Sequence, residues 1–412
     1  MSRSYRSGVI ALSLAALVAA GCSSSSPKST TGSGTTVGGA TATTLSSVPI
    51  KIGVLLPESG PSAANGAGHK PLLDNILKEP NHASIDGHPV QIVIVDDTGT
   101  SAGGAAGARQ LIDQDHVSVI IGSNLTAVAT AELPVSTASK VLEITLTGCP
   151  QCGDGKTYPY NFTIEWDRPS QGPATIGRVK SLGKSSFAIL QSLDPSGQAY
   201  VDALTAAASA GGVTISKKVT FQPSTLDLSN QVAQLKSAGA DLVYVAAVSP
   251  ADIANVVKAM DEAQYHPKLL GNSALSVVTV SDAVPAASKS WVQSSWQASG
   301  FGVHMVQGNL SPQVQAWHDL LVKLIGPQEN TISLNNVTPI QDAFDLFKAA
   351  VEATHSTDGP TLATWIETNG FQGLRAKYTF TPDRHNGLTS DTVGWAIPGT
   401  LKDGWLAQAP ST

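Results

Sequence analysis

Residues His88 to Asn124 read HPVQIVIVDDTGTSAGGAAGARQLIDQDHVSVIIGSN, and this stretch decides the fold class. VQIVIV is a β-branched run that ends at Asp96 and Asp97. SAGGAAGARQLIDQD is alanine-rich and suits a helix despite its glycines. VSVIIG is a second β-branched run. Neither run alternates apolar with polar residues, as strands buried on both faces do not. A strand, a helix and a strand in that order predict a parallel sheet covered by helices.

The pattern extends outward. Upstream, VPIKIGVLLPESG is an apolar strand running into a Pro/Gly loop, followed by a helix-like stretch at about Lys70 to Leu77. Downstream, TAVATAELPVSTAS reads as a helix and KVLEITLTG as a strand. The alternation then restarts. SSFAILQSLDPSG, VTISKKVTF, DLVYVAAVSP and PKLLGNSAL read as strands with their following loops. QAYVDALTAAASAGG, LDLSNQVAQLKSAGA and ADIANVVKAMDEAQ read as the helices between them, the first ending in glycines suited to a C-cap. A tail adds one long helix, about Thr338 to Thr354, and late strands such as RAKYTFTP. The expected architecture is α/β, with two Rossmann-like lobes built on parallel central sheets.

The first residues set the compartment. Arg3 and Arg6 precede an uncharged apolar run, Val9 to Ala20, and small residues lead to Cys22. Residues 1–21 read as a secretory signal peptide, whose apolar run is too short to span a bilayer. Its Ala-Gly-Cys ending resembles the lipobox of bacterial lipoproteins, which makes Cys22 the acylated first residue of the mature chain. Residues 22–48 are almost all Ser, Thr, Gly and Ala and read as a flexible tether. More than 350 residues remain, beyond the size at which a single core stops growing, so two lobes are expected. The expected location is the cell envelope, outside the cytoplasm and anchored to the membrane by lipid.

Formal charge is −6, or −8 once Arg3 and Arg6 leave with the signal. Lysine and arginine form no basic stripe, so nucleic acid is not an expected partner. P-loop and HExxH signatures are absent from the sequence, and no cofactor, metal or catalytic residue is expected. GTSAGGAAG does not have GxGxxG spacing. His69, His82, His88 and His116 lie in polar surroundings and are expected to be solvated. The late tryptophans, Trp291 to Trp405, are expected in the core or between lobes.

Cys149 and Cys152 sit two residues apart in TLTGCPQCGDG. A local disulfide suits an oxidising compartment. Free thiols, a redox pair and a metal half-site are the other readings. A structural zinc site needs about four ligands, and no second CxxC or HxxxH occurs in the sequence.

In open parallel sheets, ligands bind beyond the carboxyl ends of the strands. The loops placed there are PESGPSAANG, GSNLTAV, TLTGCPQC, SLDPSG, AVSPAD and GNSALS. They are rich in Ser, Thr and Gly. Such residues cap helices as readily as they hold an anionic or polar head group.

The motifs IKIGVLLPESGP, VQIVIVDDTGT, ARQLIDQDHVSVIIGS, LPVSTASKV, DRPSQGPA, FQPSTLDLSNQVAQLKSAGADLVYVAA and FQGLRAKYTFTPD occur in order from about Pro49 to Leu406. In this the chain resembles the extracellular solute-binding proteins of branched-chain amino acid type ABC transporters, which have the type I periplasmic binding protein fold. The resemblance implies two lobes joined by a three-crossover hinge, with crossings near Trp166, Ser299 and Asp383. Lobe 1 is then 49–166 plus 300–383, and lobe 2 is 167–299 plus 384–412.

It also implies a ligand-binding set: Ser59, Asn65, Thr126, Thr147, Gly148, Cys149, Asp194, Ser196, Ser249 and Ser273. Thr126 matches the hydroxyl that holds a ligand carboxylate, and Thr147 to Cys149 match the loop beside it. A Cys149–Cys152 disulfide would then fix that loop. Ser273 stands where amino-acid binders carry the acid that pairs with the ligand ammonium. Asn65, Ser196 and Ser249 replace pocket aromatics. Glu58 or Asp194 could take over the ammonium. Otherwise the pocket suits a small carboxylate, amide or polyol-like solute.

The function expected is a lipid-anchored binding protein that delivers a small polar solute to ABC permease and ATPase subunits. A ligand-sensing module of the same fold is the first alternative, and a CxxC thiol oxidoreductase the second.

Overall fold

A computed structural model describes residues 48–60, 62–149, 151–326 and 334–410. The signal peptide, Cys22 and nearly all of the tether lie outside the described residues. Residues Thr44–Thr412 form one compact unit.

The first sheet has six strands: β1 (Ile50–Leu56), β2 (Ser84–Ile85), β3 (His88–Asp96), β4 (Val119–Ile121), β5 (Leu142–Thr145) and β6 (Asn161–Thr163). Their order is β2-β3-β1-β4-β5-β6, and all pairs are parallel except β2 with β3. Ile52, Val54, Ile121 and Ile144 face helices Pro312–Ile325, Leu334–Thr354 and Gly359–Asn369, and pack with Val314, Phe344, Phe347 and Leu362. The other face carries helix Ser101–Arg109, whose Ala108 packs with Leu55 and Ile120.

The glycines of that helix have a packing role. A Cβ on Gly107 would come within 2.5 Å of Leu55 Cδ2, and one on Gly104 within 2.5 Å of Val128 Cγ1. Glycine lets the helix lie against both the sheet and the next helix.

The second sheet contains β7 (Ser186–Ser192), β8 (Thr214–Phe221), β9 (Leu242–Ala246), β10 (Lys268–Gly271) and β11 (Trp296–Gly302). After a two-strand hairpin, β12 (Phe371–Gln372) and β13 (Lys377–Tyr378), it is completed by β14 (Val393–Lys402) and β15 (Trp405–Gln408). The order is β15-β14-β11-β10-β9-β7-β8, with the last two strands of the chain added antiparallel at one edge. Each face has its own apolar cluster. One is built on Leu190, Val243, Val245 and Leu269, the other on Phe187, Ile189, Tyr200 and Leu204. Burying a side chain of this size contributes roughly 1.5–3 kcal/mol.

The tail differs from the sequence expectation. Helices Pro312–Ile325 and Gly359–Asn369 join the long helix, and the late strands are mostly β14 and β15. His69 and His82 are buried rather than solvated, at 4% and 5% exposure. Trp291, Trp296, Trp317 and Trp405 are buried in the cores.

The backbone passes between the sheets three times: after β6, after β11 and before β14. Arg375 ties the first two passages together. Its guanidinium donates to Ile164 O at 3.1 Å, to both carboxylate oxygens of Glu165 at 2.8 and 3.0 Å, and to Gly300 O at 3.3 Å, and it lies 4.4 Å from the Trp166 ring centre. Asn386 and Thr392 bring in the third: Asn386 Nδ2 donates to Glu165 O, and Trp166 Nε1 to Thr392 Oγ1. Below them Asp342, on the long helix, accepts from Leu374 N, Arg375 N and the Tyr378 hydroxyl.

Candidate functional site

Strand order locates the site. In the first sheet the chain runs outward from β1 to β3, then returns to β4 on the other side of β1. In the second it reverses between β7 and β9. A crevice opens at such a switch point, beyond the strand carboxyl ends. The loops there carry Ser59, Asn65 and Thr126 in the first sheet and Asp194, Ser196 and Ser249 in the second. Thr147, Gly148 and Cys149 follow β5, and Ser273 follows β10.

Thr126 and Thr147 are brought together. Thr126 opens helix Thr126–Ser139, and its hydroxyl lies 3.2 Å from that of Thr147. The Thr147 carbonyl accepts from Thr163 Oγ1 at 2.9 Å, which anchors the loop to β6. At Gly148 a Cβ would fall 2.0 Å from Trp166 O and 2.8 Å from the Asp167 Cα. Only glycine lets the loop rest directly on the first passage between the sheets.

The Cys149 and Cys152 sulfurs lie 1.97 Å apart. Both residues are buried with Ala129 and Leu133 of the neighbouring helix, against Tyr158. A thiol–disulfide exchange site needs a reachable sulfur, and these are sealed at 0% and 1% exposure. The Cys149 side chain therefore faces the apolar cluster.

Beneath the same loops lies a group of buried acids. Glu132 Oε2 accepts from Ser123 N at 3.2 Å. A Cβ on Gly122 would meet Glu132 at 2.8 Å and Glu143 at 3.1 Å, so the two carboxyls flank one glycine. Burial pushes the Glu143 carboxyl up to about 7. Burial and the neighbouring Glu143 hold that of Glu132 well above its ordinary range. Asp97 beside them is also raised by burial.

Several predicted ligand groups have other engagements. Asp96 Oδ1 gathers the N–H groups of Glu58, Ser59 and Thr98, and the Ser59 side chain is the main cause that holds the Asp96 carboxyl below its usual range. The Asn65 backbone carbonyl accepts from Asn124 Nδ2 at 3.1 Å. Asp194 caps helix Pro195–Gly211 through Gly197 N at 2.9 Å, and its other oxygen accepts from the Ser192 hydroxyl. Ser249 caps helix Pro250–Glu262 through Asp252 N. Ser273 begins a 3-10 turn beside Gly300. Ser196 lies half-buried in the first turn after Asp194. Among the described residues no hydrogen bond joins the first-sheet group to the second-sheet group.

Two neighbours of the site escaped the sequence reading. Arg168 opens helix Arg168–Ser181 with its guanidinium 4.0 Å from the ring centre of Tyr200, which is buried on helix Pro195–Gly211. The signal was available in DRPSQGPA. Asp167 caps the helix through Ser170 N at 2.8 Å, and the next residue is a cation where the helix dipole favours an anion.

Residues 49–393 match the periplasmic binding protein family. The chain is 29% identical over 197 residues to Leu/Ile/Val-binding protein homolog 3 of Brucella melitensis biotype 1, covering 47% of this chain and 53% of that one. It spans about half the length of the curated relatives it matches. Its fold matches a leucine-binding protein LivK from Thermotoga maritima MSB8, at TM-score 0.73 and 18% identity over 88% of this chain and 98% of the other. It equally matches an R. palustris ABC transporter solute-binding protein solved in complex with 4-hydroxybenzoate, at TM-score 0.73 and 21% identity, over 88% and 95%. Two parallel-rich α/β sheets linked by three passages are the type I periplasmic binding protein fold. With its site loops at both switch points, the chain belongs to the periplasmic binding protein family, whose members bind solutes and are not enzymes.

Proposed function

We propose that the chain is a lipid-anchored solute-binding protein that captures a small polar solute between two lobes and delivers it to an ABC importer. In this reading lobe 1 is 49–166 with 300–383, and lobe 2 is 167–299 with 384–412. They close about the passages gathered by Arg375, Glu165 and Trp166. Cys22 carries the lipid, and a Cys149–Cys152 disulfide holds the loop after β5 in its binding shape, which lowers the ordering cost of capture.

The observation that carries this reading is the paired Thr126 and Thr147 hydroxyls beside Gly148, beyond the carboxyl ends of β4 and β5. Two hydroxyls 3.2 Å apart suit the two oxygens of a carboxylate or an amide carbonyl.

The test is thermal unfolding of residues 44–412 against amino acids, carboxylates, amides and sugars. One solute class is expected to raise the Tm, corresponding to about 2.7 kcal/mol at one hundred times its Kd. A Thr126→Ala, Thr147→Ala double variant is expected to weaken that solute tenfold or more. A library with no hit, or a hit indifferent to both threonines, would overturn the reading. The anchor is checked separately: palmitate label is expected in the full chain and absent from Cys22→Ala.

A further inference from the structure

Arg168 is 9% exposed, yet among the described residues nothing gives it a hydrogen-bond acceptor or a carboxylate within ion-pair distance. Its one close partner is the Tyr200 ring. The nearby acids are engaged elsewhere: Asp167 with Ser170 N, Glu165 with Arg375, and Asp194 with Gly197 N and the Ser192 hydroxyl. Its nitrogens are not among the polar atoms sealed from solvent, so the charge remains reachable.

Its position joins the two halves of the site. Gly148 rests on the Cα of Asp167, the residue before Arg168. Tyr200, beneath the guanidinium, is four residues beyond Ser196 on one helix, so both lie on the same face. Arginine keeps its charge whatever its surroundings, and burying an unpaired charge is costly. A group that supplies the missing negative charge therefore binds favourably here. An ammonium does not, since a fixed cation repels it.

We infer that Arg168 is a ligand-binding residue and that the solute is an anion without an ammonium group, a carboxylate met by Thr126, Thr147 and the Gly148 backbone from one side and by Arg168 from the other. The inference rests on the solute-binding reading and narrows it. Ser273, where amino-acid binders carry an acid, fits a ligand that brings no positive charge.

The test uses two pairs of matched shape, read by calorimetry and thermal shift on residues 44–412: leucine against 4-methyl-2-oxopentanoate, and benzamide against benzoate. The acid of at least one pair is expected to bind at least tenfold more tightly than its partner. Arg168→Gln is expected to weaken that acid at least tenfold, and Arg168→Lys, which keeps the charge, to weaken it less. Circular dichroism of both variants confirms the fold. If leucine or benzamide binds as well as its acid, the inference fails while the solute-binding reading stands. A solute of the wider library whose affinity changes less than twofold in Arg168→Gln has the same consequence. If nothing in the wider library binds, both fail.

Discussion

Arg375 and Arg168 are both buried, at 3% and 9% exposure, and they meet burial in opposite ways. Arg375 has a bidentate carboxylate, two carbonyls and an indole around it. Burial works against its charge, but Glu165, Tyr378 and Asp342 together more than offset this and raise its pKa. Arg168 has only the face of a phenol. The buried acids Glu132 and Glu143 show a third course, open to carboxyls and closed to arginine: they take up protons. A buried charge can be paired, neutralised or left for a ligand. The course taken separates the framework of this molecule from its site.

The comparison breaks most easily at Arg375. Arg375→Met leaves Glu165 without its cation and frees the passages, so it is expected to cost about 3 kcal/mol in urea unfolding, at the low end for breaking a buried pair because Glu165 is partly exposed. An unfolding midpoint within error of the parent would mean that the network only decorates the hinge.

The acids come next. Glu143 has its pKa raised from the ordinary 4.5 to about 7, and that of Glu132 is raised too. The folded state thus holds more protons than the unfolded between these pH values, so stability is expected to fall as pH rises from about 4.5 to 7. Glu132→Gln is expected to flatten that slope in unfolding midpoints measured across the range. An unchanged slope would assign it to other groups.

The cysteine pair is expected to count for less. For so short a loop the chain-entropy estimate is about 2 kcal/mol. Replacing Cys149 and Cys152 together by serine should lower the Tm by the corresponding few degrees. A rise would mean that the sulfurs strain the loop they join.

Arg168 itself is expected to matter least for stability. Arg168→Gln removes a cation–π contact worth about 1 kcal/mol and an unpaired charge that opposes burial, so the net change should stay within about 1 kcal/mol. A loss as large as that of Arg375→Met would show Arg168 to be framework.

These contrasts bear on what the sequence reveals. Strands β1, β3, β4, β5, β7, β9 and β10 were readable because a parallel strand covered by helices is a short apolar run with little alternation; β8 was readable from its β-branched residues, and the short β2 and β6 were not read. Nor were the closing strands. β14 contains Pro398 and Gly399 and pairs antiparallel, so it lacks that signature. Helix Pro312–Ile325 did carry its signal, a Ser311 cap before Pro312 and an apolar stripe of Val314, Trp317 and Leu321. At the site, the loops were legible and the roles within them were not. Asp194 and Ser249 cap helices with the same oxygens a ligand would use. Residue type does not separate the two roles. Arg168 was hidden for a different reason: its meaning lies in the partner it lacks, which only coordinates reveal.

The last hairpin has a consequence of timing. Trp405 of β15 packs with Trp317 over the first sheet, while Leu406, its neighbour, belongs to the core of the second. One short strand therefore packs two adjacent side chains into both cores, and contacts so distant in sequence are among the slower ones to form.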